Sequence, residues 1–219
     1  MCPQGVYRTG WRDRQLSSLF PIFVKFEGWR CLVVGAGKVA VGKIAGLVQT
    51  GARVRVVAIQ AEPAVREWAA SGQIELELRP FKADDLDQTR LAVIATPSPD
   101  LNETIFREAQ RRGVLCNVVD VPELCDFYYP AVVHRGDLQI AISTNGKSPA
   151  LARRLREQLE QQFGPDYAEW IEDLGETRKL VLASKLDADR KRQLLLSLAS
   201  RDALEAALAA AEPTPGQVA

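Results

Sequence analysis

The chain has 219 residues, 47% of them apolar, with 28 Lys plus Arg balanced by 28 Asp plus Glu. That length suits one large domain, or a medium domain with small appendages, and the apolar content excludes a disordered tail. The charge balance gives no reason to expect nucleic acid or an anionic membrane as a partner.

The four cysteines, Cys2, Cys31, Cys116 and Cys125, form no CxxC pair. The single His134 completes no usual zinc set with them, so no metal site is expected. Cys31 and Cys116 fall in apolar runs, where a thiol behaves as a small hydrophobe, and this usage fits a reducing compartment. Residues 1–18 are polar, carry Arg8, Arg12 and Arg14, and lead into no apolar signal core, so they read as an N-terminal extension. No run approaches the ~18 apolar residues of a membrane span. A cytoplasmic location is expected.

In chain order, residues 30–34 read as a buried strand. Residues 38–50 read as a helix with Val41, Ile44, Ala45 and Val48 on one face and a stop at Gly51. A strand follows at 53–59, a helix at 62–71, and strands at 74–78 and 90–95. Pro99 opens a helix that runs to Arg112 and stops at Gly113, and 114–119 is a fifth strand. Strand and helix alternating at this spacing predict an α/β fold, a Rossmann-type parallel sheet with helices on both faces. The pattern changes after Asp120. Residues 127–133 and 137–143 read as two strands joined at His134-Arg135-Gly136, close enough only for an antiparallel hairpin. Such a hairpin could edge the main sheet or form a small layer at a subunit interface. From Ser148-Pro149, a cap followed by a first-turn proline, the chain is helical. The first helix is expected to reach Phe163, the second to cover 166–184, and the third to run from a cap at Asp187 through Leu208. The expected division is 1–18 extension, 19–125 nucleotide-binding domain, 126–147 hairpin segment, 148–211 helical region and 212–219 tail.

Three stretches carry chemistry. Gly35-Ala36-Gly37-Lys38-Val39-Ala40 fits GxGxxA between a strand and a helix, the dinucleotide fingerprint. Gly35 permits the tight turn, Gly37 lets the backbone approach a pyrophosphate, and Ala40 keeps the helix near the sheet. The helix start offers N–H groups and a positive dipole end. The acidic residue usual about 20 positions on is missing. The second strand ends in Ile59-Gln60, and Glu62 is the nearest carboxylate. No 2′-phosphate ligand is evident there, so NAD is the expected cofactor. Asn117-Val118-Val119-Asp120 places a carboxylate at the carboxyl edge of the sheet, where ligands of this fold bind. Asp120 there suits a general base, an ion-pair partner or a turn cap. Ser143 to Pro149, with Arg153, Arg154 and Arg156 behind it, reads either as an anion-binding corner or as a capped surface helix.

Together these stretches resemble the dehydrogenase/ferrochelatase part of siroheme synthase, the precorrin-2 dehydrogenase family. The likeness begins at Leu19-Phe20-Pro21-Ile22-Phe23. It continues through residues 31–52, 92–102, 116–133 and 138–160, in the family's order. Three departures are local: alanine stands in the middle of the glycine turn, Pro97-Ser98-Pro99 stand where the family often has acidic residues, and Thr144-Asn145 replace serine and glycine.

The resemblance implies an NAD-binding Rossmann domain, a small dimerisation segment at 126–147, a helical C-terminal region and a homodimer. It implies NAD-dependent oxidation of precorrin-2 to sirohydrochlorin. In many members it also implies insertion of ferrous iron. The family's catalytic aspartate falls on Asp120. The cofactor contacts fall on Gly35, Gly37, Lys38, Val39, Ile59, Gln60 and Thr96. The tetrapyrrole, a polycarboxylate, is expected to meet Asn117, Thr144, Asn145, Gly146, Lys147, Ser148 and Arg153. A dinucleotide-sensing regulator with a helical output region would share the glycine turn, but not NVVD followed by the hairpin and SxxGxSP. A generic small-substrate dehydrogenase would need a Ser-Tyr-Lys set or a catalytic His, which the sequence lacks.

Overall fold

The protein is represented by a computed structural model that describes residues 19–200 and 202–203. The expected N-terminal extension, Cys2 and the C-terminal tail lie outside the described residues. The chain divides into two compact units, with the boundary between Tyr129 and Pro130.

The first unit holds five strands: β1 (Arg30–Ala36), β2 (Arg53–Ala61), β3 (Glu75–Leu78), β4 (Leu91–Ile94) and β5 (Leu115–Val118). Its helices are α1 (Lys38–Gln49), α2 (Pro63–Ala70) and α3 (Pro99–Arg112). The sheet is parallel throughout, in the order β3-β2-β1-β4-β5. Successive side chains of a strand face opposite sides, so β1 feeds two cores. Cys31 and Val33 pack with Ala40, Ile44 and Leu47 of α1 and with Val65 of α2. Leu32 and Val34 pack with Ile105, Phe106 and Ala109 of α3. Burial on both faces is why these strands read as continuous apolar runs.

The strand order reverses between β1 and β4, which pair from Cys31↔Leu91 to Val34↔Ile94. That switch point is where open α/β sheets leave a crevice beyond their strand ends. α3 ends as its sequence expects: Gly113 takes a left-handed φ of 67°, and the Val114 N–H reaches the Ala109 carbonyl at 2.9 Å.

Two short 3₁₀ turns, Ala83–Leu86 and Pro122–Leu124, have no periodicity of their own and were not expected. The first is fixed by a side chain. Asp85, 3% exposed, accepts from both outer guanidinium nitrogens of Arg79 (2.8 and 2.6 Å) and from the Lys82 N–H (2.8 Å). Arg55 stands 3.4 Å away and also binds Glu77.

In the second unit, β6 (Ala131–Arg135) and β7 (Leu138–Ile142) form their own antiparallel sheet. This is the separate layer and not an edge of the main sheet. β6 starts later than expected, after Pro130, which has no N–H for a ladder. The turn is Gly136-Asp137, not His134-Arg135-Gly136. His134 and Arg135 instead pair with Gln139 and Leu138, and Gly136, at φ 55°, takes the first turn position.

The hairpin packs on α4 (Pro149–Gln162) and α5 (Tyr167–Ala183), with Val133 fully buried. Arg135 caps the far end of α4, donating to the carbonyls of Phe163 (2.8 Å) and Glu160 (3.0 Å). α6 (Ala188–Leu198) starts at the expected cap, with Asp187 accepting from the Arg190 N–H at 2.9 Å. It ends at Leu198, and 202–203 are again helical. Residues 204–208 lie outside the described residues.

Candidate functional site

The glycine turn sits at the switch point. Gly35 has φ 99°, and a Cβ built on it would stand 2.3 Å from the Ala95 carbonyl oxygen at the end of β4. Only glycine lets the two strand ends close together there. Gly37 is the extended N-cap of α1, and a Cβ on it would meet nothing within 4 Å. Gly37 is therefore not needed for packing inside the chain; its missing side chain leaves a cradle open to a ligand. The first turn of α1 has no side-chain cap and no acidic residue, and Lys38 and Val39 are exposed. An uncapped helix start with a lysine on it suits an anion, which would satisfy the free N–H groups and offset the positive charge. Ala40 is fully buried against the sheet. These features fit a dinucleotide pyrophosphate.

At the end of β2, Ile59 and Gln60 are both exposed. Arg66 of α2 donates to the Ala61 carbonyl at 3.2 Å. Thr96 follows β4, and its hydroxyl donates to the buried Asn102 Oδ1 at 2.6 Å. Asn102 Nδ2 returns a bond to the Thr96 carbonyl at 3.2 Å. Asn102 thus locks the backbone beside Gly35.

Asp120 lies on a tight turn directly after β5. The Val121 N–H bonds to the Val118 carbonyl at 3.2 Å, and Asp120, at the third position, has φ 61°. That is the arrangement of a type II turn, where glycine or asparagine is usual. An aspartate held there lies in a sparsely populated conformation that its surroundings must maintain. Cys125 maintains it. Burial raises its thiol above the usual range, so it stays protonated, and its one S–H is shared between the carbonyls of Val118 (3.2 Å) and Val121 (3.3 Å). Asn117, 6% exposed, donates to the Phe127 carbonyl at 2.8 Å and to Cys125 Sγ at 3.4 Å. Its amide hydrogens are thus committed inside the unit.

One residue of this site was not anticipated. Lys43 of α1 is half-buried, with Nζ 3.6 Å from the Tyr129 ring centroid. Burial lowers its ammonium below the ordinary lysine range, while the nearby Asp120 carboxylate and Cys125 push the other way. A sequence signal existed: Lys43 is the one charged residue of α1 past Lys38, and it stands four residues after Val39, one turn along the same face.

In the second unit, residues 143–148 form a self-bonded loop with positive φ at Asn145 (53°) and Gly146 (75°). The Asn145 N–H bonds Ser143 Oγ (3.1 Å), and the Ser148 N–H bonds Thr144 Oγ1 (3.1 Å). Ser148 caps α4 by accepting from the Leu151 N–H at 3.2 Å. Lys147 is exposed. Arg153 is 77% exposed and carries Glu157 at 2.9 Å, so the arginine cluster is partly neutralised by its own helix. Among the described residues no group of three His, Cys, Asp or Glu is arranged to hold a metal. No described helix is long and apolar enough to cross a membrane.

Comparison with known proteins agrees with this geometry. A family model described as "Putative NAD(P)-binding" matches residues 22–131, and one described as "Sirohaem biosynthesis protein central" matches residues 135–162. A siroheme synthase of Methylococcus capsulatus is 44% identical over 140 residues, 64% of this chain and 30% of the relative. One of Pseudomonas entomophila is 38% identical over 172 residues, 78% of this chain and 37% of the relative. The chain therefore spans about a third of the length of these curated relatives. A solved structure of a precorrin-2 dehydrogenase, SirC, superposes with a TM-score of 0.76 at 28% identity, covering 85% of this chain and 92% of that one. The chain belongs to the siroheme synthase and precorrin-2 dehydrogenase family, and residues 22–131 are its NAD(P)-binding domain.

Proposed function

We propose that the protein oxidises precorrin-2 to sirohydrochlorin, with NAD as the acceptor. The observation that carries this is the Asp120 turn. It presents a carboxylate at the carboxyl end of β5 in the unit that holds the glycine turn, in a chain similar over most of its length to SirC, a precorrin-2 dehydrogenase. When bound, the dinucleotide supplies the hydride acceptor.

The chain's own residues bind and hold. Gly35, Gly37, Lys38 and Val39 take the pyrophosphate on the α1 start, Ile59 and Gln60 border the far ribose and base, and Thr96 closes the turn beside Gly35. As the substrate gives up a hydride and a proton, the Asp120 carboxylate accepts the proton. Asn117 supports this step by fixing the segment after the turn. The second unit recognises substrate carboxylates through Thr144, Asn145, Gly146, Lys147, Ser148 and Arg153. Ferrous iron is a further substrate in this reading: two pyrrole protons must leave as it enters sirohydrochlorin, and Asp120 is suited to take them one at a time, releasing the first to solvent before accepting the second.

The working form in this reading is a homodimer in the cytoplasm, with residues 126–147 carrying subunit contacts. Exposed apolar side chains support association, Phe20 and Phe23 in the first unit and Leu180 and Leu196 in the second. The unpaired thiols of Cys31, Cys116 and Cys125 suit a reducing compartment.

The test is anaerobic spectroscopy with precorrin-2 and NAD, then with sirohydrochlorin and ferrous iron. Formation of sirohydrochlorin matched by NADH supports the reading, and no turnover of precorrin-2 refutes it. Sedimentation tests the dimer.

A further inference from the structure

We infer that Arg66 is a specificity-determining residue of the cofactor site: its guanidinium stands at the carboxyl end of β2 as the partner of a ribose 2′-phosphate, so the site takes NADP as well as NAD. The inference rests on the glycine turn holding the dinucleotide's pyrophosphate, and it adds a second acceptor to the proposed reaction. The course of β2 leads to it first. Val34 pairs with Val57 and Ala36 with Ala61, so two residues of β1 advance against four of β2. Ile59 and Gln60 fall in that extra length, and both are exposed. The strand then returns beside the glycine turn, where the Glu62 N–H bonds the Ala36 carbonyl at 3.0 Å. In this fold the end of the second strand borders the adenosine ribose, and an acidic side chain there bonds the 2′-hydroxyl. Such a carboxylate also repels a phosphate in the same place. This strand ends in Ile59-Gln60-Ala61, which carries no charge against either cofactor.

The second observation is where Arg66 is held. Its Nε donates to the Ala61 carbonyl at 3.2 Å, which fixes the guanidinium at the end of β2. Ala61 pairs with Ala36 of the glycine turn, so the guanidinium stands one strand over from the pyrophosphate cradle. From the strand end alone no phosphate partner is evident, because Arg66 reaches it from the following helix, α2. The third observation is what Arg66 leaves open. Arg55, Arg79, Arg107, Arg111 and Arg112 of the same unit are each ion-paired. Arg66 is exposed and, among the described residues, forms no ion pair, not even with Glu62 one turn before it. Its two terminal nitrogens bond to no described residue. Those nitrogens are the edge with which a guanidinium grips a phosphate side by side.

The test is calorimetric binding to the full-length protein. NAD, NADP, adenosine 5′-phosphate and adenosine 2′,5′-bisphosphate are titrated into wild type, Arg66→Gln and Gln60→Asp. Wild type is expected to bind both dinucleotides. Arg66→Gln should lower the NADP-to-NAD affinity ratio roughly tenfold, the change that one lost charge-assisted contact gives. The ratio of bisphosphate to monophosphate should fall with it, and the loss should shrink as salt rises. Gln60→Asp is an independent check: it restores a carboxylate at the strand end and should lower the same ratio through repulsion. Equal weakening of NAD and NADP in Arg66→Gln overturns the inference, since Arg66 would then serve the pyrophosphate that both share. A wild type that binds NAD but not NADP overturns it equally. NADP binding that depends on Arg66, in a protein that does not oxidise precorrin-2, would uphold the inference while refuting the proposed reaction. Oxidation with NAD in a protein that NADP does not bind would do the reverse.

Discussion

The carbonyl oxygen of Ala95 lies 2.3 Å from where the first side-chain carbon of residue 35 would stand, so the end of β4 and the turn after β1 close only over Gly35. Gly37, two residues on, has nothing within 4 Å of the same point. The fold therefore requires glycine at position 35 and leaves the space at position 37 open.

Substitution separates them. Gly35→Ala is expected to lose about 2–4 kcal/mol, from the clash together with a φ of 99° that alanine resists. Gly37→Asp is expected to melt close to wild type, within about 0.5 kcal/mol. It should lose NAD binding, because a carboxylate would occupy the anion site at the α1 start. Calorimetric unfolding and NAD titration of both variants check this. Full NAD affinity in Gly37→Asp would remove the turn from the cofactor site.

Asp85 is the expected stability centre of the β3 edge. Burial alone would raise its carboxyl, but the Arg79 hydrogen bonds, the Lys82 N–H and the charges of Arg79 and Arg55 outweigh that and hold it below the ordinary range. A carboxyl depressed on folding stabilises the protein above its unfolded pKa of about 3.9, and the contribution is lost as pH falls through the lower folded value. Asp85→Asn should cost about 2–3 kcal/mol at pH 7. That is less than the ~3–5 kcal/mol of a fully buried broken pair, because Arg79 and Arg55 keep some water. The gap between variant and wild type should begin to narrow below about pH 4 and close only below the folded value. Urea melts at pH 7 and below pH 4 measure it. A gap independent of pH would mean that the network acts by packing alone.

The parallel sheet, its helices and their caps were legible because each rests on local signals: apolar runs, the 3.6 period, Ser148-Pro149 and the Gly113 stop. The glycine turn was legible because its function requires glycine at fixed offsets. Three features were not. The 3₁₀ turn at Ala83–Leu86 is held by arginines from β2 and the end of β3, so its cause is remote in sequence. The hairpin turn shifted because Pro130 delays β6 and Gly136 supplies the positive φ. Lys43 belongs to the Asp120 site only through folding, since 77 residues of chain separate the two positions.

The loop of the second unit should show itself through salt. Lys147→Ala and Arg153→Ala are each expected to weaken tetrapyrrole affinity about fivefold, the ratio that about 1 kcal/mol gives, with NAD affinity unchanged. The effect should shrink as ionic strength rises, because both side chains are exposed. Arg153 must leave Glu157 to reach a ligand carboxylate, so Glu157→Gln is expected to tighten binding. Fluorescence titration at two salt concentrations distinguishes these outcomes. Loss of both ligands together would mark the loop as structural.

Asp120→Asn tests the proposed chemistry itself. Asparagine tolerates a φ of 61° as well as aspartate does, so the turn tied by Cys125 should survive, and the protein should fold and bind NAD as before. The amide cannot accept a proton. Precorrin-2 oxidation is therefore expected to fall by roughly 10²-fold or more, the usual scale for a lost general base. Iron insertion should fall with it if one carboxylate serves both reactions. Raising the pH should not restore the variant, because it has no carboxyl to ionise. Single-turnover measurements across the pH range check this. Near-normal oxidation by Asp120→Asn would leave Asp120 a turn residue and send the search for the base elsewhere in the first unit.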